Sequence, residues 1–320
     1  MHSPFHLLAA TAHRWPLVGP RVVRRRLAAC YEVQFGVAPH LDRPVGFNER
    51  ILHRILFDRD PRLRIICDKH AAKAFILDRV GPDLVVPTLG LWRRPEDIDW
   101  DRLPERFVLK PTHTSGPVAL VRDPAERMPV ALVAAARQWL ATDYFDVSLE
   151  WGYRGLPRRL IAEPLLLGPD GGAPVEALVF TFSGRARLIR LLRGRKGTAE
   201  ERNAWFDATG RRLAIPANLP DADIPLAEND RAAVVALAER LSQGFSSLRV
   251  DVYLGAAGPM IGELTPYSNA GRLAWGSAEI DRMLGGLWDP DFDVACLPAQ
   301  AGPARPDQDP TADSPRRAAA

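Results

Sequence analysis

Apolar positions along the chain change their period several times, and each change predicts an element. In "CDKHAAKAFILDRVG" (67–81), Ala72, Phe75, Ile76 and Val80 recur at helical spacing, with Asp68 placed to cap the start and Gly81 to end it. "RFVLKP" (106–111) and "VALVRD" (118–123) read as two strands around a Thr-His-Thr-Ser-Gly loop, and "PVALVAAARQWLATD" as the helix that follows. "RRLIAEPLLLG" (158–168) is an apolar strand with one carboxylate, Glu163, in its middle. "VEALVFTFSGRARLIRLLR" predicts a hairpin turning at Ser183-Gly184, and "NDRAAVVALAERLSQG" an amphipathic helix closed by Gly244. Helical and strand patterns alternate throughout, which favours a mixed α/β protein with several lobes.

Charged residues interrupt this pattern at telling places. Lys69 and Lys73 are four apart near a helix start, where the positive end of the helix dipole disfavours cations. An anion held between them would relieve the conflict, but taken alone the helix favours two solvated lysines. Lys110 ends a strand beside a loop whose backbone N–H groups, Ser115 hydroxyl and Gly116 suit a phosphate; the competing reading is an ordinary strand end.

"SSLRVDVYLGAAGPMIGELTPYSNAG" (246–271) predicts a second hairpin, with Arg249, Asp251 and Tyr253 on one face. Asp251 opposes Glu263 only if the loop has an odd number of residues. A three-residue loop, Ala256-Ala257-Gly258 with Gly258 left-handed, meets that condition, whereas two or four residues would not. Converging carboxylates some 4 Å apart repel by a few kcal/mol at an effective dielectric of about 20. They must share a proton, borrow Arg249 or hold a hard cation such as Mg²⁺. A salt bridge from Arg249 on a solvated face is the equally weighted alternative.

Composition narrows the class. The chain has 320 residues, 47% hydrophobic and 25% charged, the balance of a soluble globular protein. A net charge of +3, spread along the chain, is too small to argue for nucleic acid. Cys30, Cys67 and Cys296 show no metal or disulfide spacing, so a reducing, cytoplasmic setting fits. The apolar patch "FHLLAATA" is too short for a signal core or a membrane span. The basic segment Arg21–Leu27 suits an anionic membrane surface, although a helix with one face on the core is the favoured reading. From about Pro298 the sequence is rich in Pro, Ala and Asp without periodicity, which predicts a disordered tail.

Taken in order, these pieces resemble the ATP-grasp superfamily and, within it, the family related to the teichuronopeptide-biosynthesis protein TupA. The resemblance runs from about Tyr31 to Trp288 and rests on "FNERI", "RDP", "CDKHAAKAFILDRVG", "LPERFVLKPTHTSG", "EWGYRGLPRRLIAEPLL", "FTFSG", "LRVDVYL" and "IGELTPYSNAG". It implies an α+β fold with two lobes gripping ATP, preceded by an N-terminal lobe. The corresponding division is a basic helical lead-in over 1–60, an N-terminal lobe over 61–105, an ATP-grasp module over 106–295 and a disordered tail over 296–320.

The resemblance further implies that Lys69 and Lys110 contact the ATP phosphates, with Ser115 and Gly116 in the covering loop. Glu163 would begin the segment that hydrogen-bonds adenine, with Leu165 and Leu166 lining the base pocket. Asp251 and Glu263 would hold Mg²⁺, and Arg249 would act on the acyl phosphate and the tetrahedral intermediate. The superfamily's usual metal-binding Asn is Thr265 here, as related sequences in this family also tend to have, so the second metal would lean on that hydroxyl, on Asn269 or on water. Glu176-Ala177-Leu178 replaces a family Asp-Tyr-Lys, and Thr112 replaces an Asn.

The implied activity is an ATP-dependent ligase joining a carboxylate to an amine, with a carboxylate-bearing sugar, peptide or polysaccharide as acceptor, in cell-surface polysaccharide biosynthesis. A kinase and a non-catalytic nucleotide-binding protein are the rivals. The arginines of "RLIRLLRGRK" (187–196) suit an acidic sugar or phosphate, although solvated surface arginines are the plainer reading.

Overall fold

The computed structural model describes residues 19–194 and 197–300. In chain order the elements are α1 (Gly19–Phe35), α2 (Phe47–Phe57), α3 (Arg62–Cys67), α4 (Lys69–Val80), β1 (Gly90–Trp92), β2 (Phe107–Pro111), β3 (Ala119–Val121), α5 (Pro129–Ala141) and α6 (Tyr144–Ser148). They continue with β4 (Leu160–Pro164), β5 (Val175–Phe182), β6 (Arg185–Arg193), β7 (Arg202–Asp207), β8 (Arg212–Leu213), α7 (Glu228–Ser242), β9 (Ser247–Gly255), β10 (Gly258–Thr265) and α8 (Ala278–Gly285). The strands form two antiparallel sheets, a smaller one in the order β1-β4-β2-β3 and a larger one in the order β10-β9-β5-β6-β7-β8. Helices flank both sheets, so the fold is α+β.

Alternation along the strands divides the larger sheet into two unlike faces. Val250, Val252, Ala177, Val179, Ile189 and Leu191 are fully buried on one face. Helix α7 packs on β5, β6 and β9 with Val234, Ala238 and Leu241, also fully buried. Each large side chain so enclosed contributes about 1.5–3 kcal/mol. On the other face Phe180 and Phe182 meet Phe47 of α2 edge-on, with ring centroids 6.1 and 6.5 Å apart. Trp275 and Trp288 close over the same Phe47 at 5.0 and 5.2 Å.

The segment "FNER" explains why α2 sits there. Asn48 exchanges hydrogen bonds with the backbone of Leu273, and Glu49 accepts from the N–H groups of His40, Val45 and Gly46. The Asn48 N–H donates to Asp281 of α8 at 3.0 Å. Gly46 is required at that contact, because a Cβ would lie 1.9 Å from Asp281 Oδ2. Buried Arg54 donates to the Ser247 carbonyl, the Ser247 hydroxyl and the Pro266 carbonyl, tying α2 to the start of β9 and the end of β10. Residues 47–57, expected in a lead-in segment, are therefore part of the larger sheet's packing.

In the smaller lobe Phe107, Leu109, Leu160 and Ala162 face Leu132 and Ala136 of α5, leaving Val108, Lys110, Ile161 and Glu163 on the opposite face. The lobes meet where Val85 pairs with Ile261 and where the Ala256 N–H donates to the Leu167 carbonyl. The Ser183-Gly184 turn forms as expected, with both residues at positive φ (49° and 76°), the geometry a two-residue hairpin needs.

Several boundaries differ from the sequence reading. The strand expected over 158–168 ends at Pro164, since residues from Leu165 onward form the connection between sheets. Helix α7 stops at Ser242, and Gly244 beyond it takes φ +81°. Residues 297–300, expected in a disordered tail, are held in place: Leu297 is buried, Ala299 bridges to Leu213, and the Ala214 and Gln300 N–H groups donate across to this segment and to β8. Residues 301–320 and the "FHLLAATA" patch lie outside the described residues. Helix α1 places Leu27 and Tyr31 on the core and leaves Arg21 and Arg25 exposed. Among the described residues no helix is long and apolar enough to cross a membrane.

Candidate active site

The start of α4 organises the site. Asp68 caps it as expected, accepting from the N–H groups of His70 and Ala71, and pairs with Arg159 at 2.8 Å. The next residue, Lys69, reaches the larger sheet: its ammonium lies 3.1 Å from Glu263 and donates to the Thr114 carbonyl. One turn on, Lys73 lies 2.7 Å from Glu163 and donates to the Val86 carbonyl. Lys110, from β2, takes the other Glu163 oxygen at 2.6 Å. The expectation of solvated lysines on this helix is thus wrong. Lys69, Lys73 and Lys110 side chains are only 14%, 15% and 14% exposed, and each has a carboxylate.

Around Glu163 the cations outnumber the carboxylates. Glu163 alone faces two ammonium groups; burial would raise its carboxyl, yet Lys110 and Lys73 hold it below the usual range. Lys73 is lowered, because burial and the neighbouring Lys110 outweigh its share of Glu163. Elsewhere the charges are matched: Lys69 faces Glu263, and Arg249 faces Asp251 with Glu176 also acting on it.

The acidic hairpin reaches its geometry by another route than the one expected. Gly258 pairs with Gly255, so the loop is the two residues Ala256-Ala257, a parity that by itself would separate the carboxylates. A bulge at Gly262 shifts the register, and Glu263 then opposes Asp251 directly. Gly258 is at φ +110° as anticipated, although it opens β10 instead of ending the loop. Gly262 has no room for a side chain, since a Cβ would lie 2.6 Å from the Tyr253 ring.

Asp251 and Arg249, two residues apart on one strand face, form a bidentate pair at 2.6 and 2.7 Å, and Arg249 also donates to the Thr265 hydroxyl at 3.2 Å. Arg249 and Asp251 are only 13% and 3% exposed, so the pair does not sit on a solvated face. Burial would lower the guanidinium, but the Asp251 charge and hydrogen bonds raise it. Glu263 is held down at about 2: burial opposes ionisation, while Lys69 and Arg249 more than reverse that, with Lys110 adding to them. The influence of Lys110 on Glu263 sets β2 and the β9–β10 hairpin against one space.

The remaining expected residues lie on other elements of the two lobes. Ser115 and Gly116 are exposed in the β2–β3 loop, with Gly116 at φ +103°, and Ser115 hydrogen-bonds Tyr144. Leu165 and Leu166 are half-buried in the connection after β4. The Glu163 carboxylate, expected beside adenine, is taken up by the two lysines. Asn269 is exposed at φ 50° in the turn after β10. Leu178 is buried in β5, between Asp251 of β9 and Arg190 of β6.

Sequence reasoning passed over Glu150, whose buried carboxyl is pushed up to about 8 by burial, with Glu263 adding to the rise while Arg272 and Arg249 oppose it. Its only signal was a carboxylate at the head of "EWGYRG".

Asp251, Glu263 and the Thr265 hydroxyl offer oxygen donors only, the set a hard cation prefers, and Mg²⁺ commonly completes its shell with water and phosphate. The residues fit such an ion, the two carboxylates sharing one face with Arg249 and Lys69 among their partners. Among the described residues no group of three or more His, Cys, Asp or Glu converges as a metal site, so Thr265, water and ligand oxygens would supply the rest.

Residues 49–288 match the family described as TupA-like ATP-grasp. No curated protein matches the chain. Among solved structures, D-alanine–D-alanine ligase from Bacillus anthracis complexed with ATP is 18% identical, covers 63% of this chain and 55% of its own, and gives a TM-score of 0.39. The ATP-grasp ligase PsnB complexed with minimal precursor, Mg and ADP is 15% identical, with 65% and 52% covered and a TM-score of 0.35. N5-carboxyaminoimidazole ribonucleotide synthetase from Thermus thermophilus is 17% identical, with 78% and 52% covered and a TM-score of 0.37. The chain therefore spans a little over half the length of each solved structure.

Proposed function

The chain belongs to the TupA-like ATP-grasp family, and we propose that it is an ATP-dependent ligase that activates a carboxylate as an acyl phosphate and passes it to an amine. One observation carries the reading: ammonium groups from α4 and β2 and an acidic hairpin with its own arginine meet in one cleft between the two sheets. A triphosphate tail would bring negative charge to Lys73 and Lys110, which share one carboxylate. Lys69 and Lys110 would exchange Glu263 and Glu163 for phosphate oxygens, and the exposed Ser115-Gly116 turn would add donors over them.

In the first step a substrate carboxylate oxygen attacks the γ-phosphorus and the bond to the β-phosphate oxygen breaks, giving the acyl phosphate and ADP. In the second, the amine nitrogen attacks the acyl carbon, phosphate leaves with its oxygen, and the nitrogen loses a proton. Both steps gather charge on oxygen, so fixed cations lower the barriers more than covalent help would. Arg249, held in place by Asp251, suits the charge on the transferring group. Asp251, Glu263 and Thr265 are the residues to hold Mg²⁺, which when bound neutralises phosphate oxygens. Leu165 and Leu166 offer apolar surface for adenine on the connection between the lobes.

As partners we propose a carboxylate-bearing sugar, peptide or polysaccharide and an amine, in cytoplasmic cell-surface polysaccharide biosynthesis. The exposed arginines of α1 are suited to peripheral contact with the inner membrane face. The test incubates the protein with Mg²⁺, ATP and a panel of sugar acids, amino acids and amines, with hydroxylamine as trap. Carboxylate-dependent hydroxamate and an amine-dependent product are expected. A stable phosphoester would mean a kinase, and nucleotide binding without turnover a non-catalytic protein.

A further inference from the structure

Residues 195 and 196 lie outside the described residues, and among the described arginines of the 187–196 stretch one is buried and stands outside the cluster above. Arg190 is 5% exposed in β6, and its strand register aligns it with Leu178 of β5, Asp251 of β9 and Glu263 of β10. Directly opposed residues of antiparallel strands share a face, so Arg190 leaves the sheet on the face that carries the acidic hairpin. Strands are about 4.8 Å apart, which sets its backbone roughly 10 Å from that of Asp251. Its neighbours are otherwise: Arg187 is bound to the carbonyls of Pro290 and Phe292, and Arg193 is exposed.

Arg190 is held by neutral groups alone. Its Nε donates to Asn203 Oδ1 at 3.0 Å, one Nη to Asn218 Oδ1 at 3.1 Å, and the guanidinium lies over the Trp205 ring at 5.0 Å. Asn203 is itself fixed, accepting from Trp205 Nε1 and donating to the carbonyls of Leu219 and Pro220. Among the described residues Arg190 makes no ion pair, while every cation of the phosphate cluster has one. Burial, with Arg249 adding to it, lowers the guanidinium to about 10, while Glu201 opposes both without an ion pair. A buried cation in a rigid, neutral cradle is costly unless an anion arrives to complete it.

We propose that Arg190 forms the carboxylate-binding subsite of this enzyme, pairing with a carboxylate of the substrate to be activated. The ammonium groups gather at the β10 edge, where the triphosphate is assigned, and Arg190 stands on the same face two strands further in, beyond the acidic hairpin. This placement suits the group that must approach the γ-phosphate from the side opposite ADP. The proposal rests on the ligase reading.

The test uses the full chain with a non-hydrolysable ATP analogue and Mg²⁺, titrated calorimetrically with D-glucuronate, succinate, inorganic phosphate and sulfate. Wild type is expected to bind a carboxylate, and Arg190→Met to weaken it by about tenfold or more, with the analogue's own affinity changed less than about threefold. The ligand-free melting temperature of Arg190→Met should hold or rise, because Asn203 keeps Trp205 as donor and Asn218 is exposed to water. A purely structural arginine would instead lower it. The proposal is overturned if the carboxylates bind wild type and variant alike, if none binds wild type, if only phosphate or sulfate binds, or if the variant melts markedly lower. Failure of wild type to bind the analogue would remove the ligase reading and this proposal together, whereas analogue binding without carboxylate binding removes only the proposal.

Discussion

Replacing Glu163 with Gln keeps the shape of the side chain and removes the only carboxylate that two buried ammonium groups share. Glu163 bonds Lys73 and Lys110 at 2.7 and 2.6 Å, and its side chain is 8% exposed. Charge-assisted bonds of this kind are worth about 1.5–3 kcal/mol each, and breaking a buried pair costs about 3–5 kcal/mol. Glu163→Gln should therefore lose roughly 3–5 kcal/mol at pH 7 and melt several degrees lower. The sign with pH follows from the lowered carboxyl. Its contribution is present above the unfolded carboxyl's ordinary range near 4.5 and is lost as pH falls through the lower folded value, so wild type and variant should converge in acid.

A second consequence separates a phosphate cluster from a structural ion pair. With its lysines unpartnered, Glu163→Gln should gain more from ATP and Mg²⁺ than wild type does, read as a larger rise in melting temperature at equal nucleotide. Adding Lys73→Met should restore part of the lost ligand-free stability. Thermal melts from acid to neutral pH, with and without nucleotide, measure all of this. A variant melting within about a degree of wild type at pH 7, or a nucleotide increment no larger than wild type's, would refute the reasoning.

Asp281 is pushed up to about 6, chiefly by burial, so its ionisation above the unfolded value near 3.8 weakens the fold progressively up to pH 6. Asp281→Asn should be more stable by roughly 3 kcal/mol at pH 7, with the gain vanishing below about pH 4 in the same melts. Gly262→Ala places a methyl 2.6 Å from the Tyr253 ring at the bulge that aligns Glu263 with Asp251. Circular dichroism should show the fold retained while calorimetry shows weakened Mg²⁺-dependent ATP binding. Arg54→Met removes the clamp on Ser247 and Pro266 and should cost about 2–4 kcal/mol, measured by denaturant unfolding.

Much of the fold was legible because its signals are local. The cap at Asp68, the stop at Gly81 and the Ser183-Gly184 turn each depend on one or two residues, and each forms as read. Asp251 and Glu263 also oppose each other, but loop parity left that open and the loop has the even length that would separate them. A bulge at Gly262, whose glycine reveals itself only against the Tyr253 ring, aligns the two carboxylates.

Lys73 and Arg190 were harder, since a cation in an amphipathic segment looks the same whether it meets water, Glu163 or Trp205. The difference lies in pairing between separate elements, Lys73 of α4 with Glu163 of β4 and Arg190 of β6 with Asn203 and Trp205 of β7, which no local period encodes. The role of α2 was hidden for the same reason: Asn48 finds its partner 225 residues away and Arg54 finds one 193 residues away.

The central claim is that the ammonium groups of the cleft are reserved for a nucleotide's phosphates. Calorimetric titration of ATP with Mg²⁺ into wild type and Lys110→Met tests it most directly. Saturable binding by wild type, weakened about tenfold or more in the variant, is the predicted result. Equal affinity in the two proteins, or no binding by wild type, would contradict it.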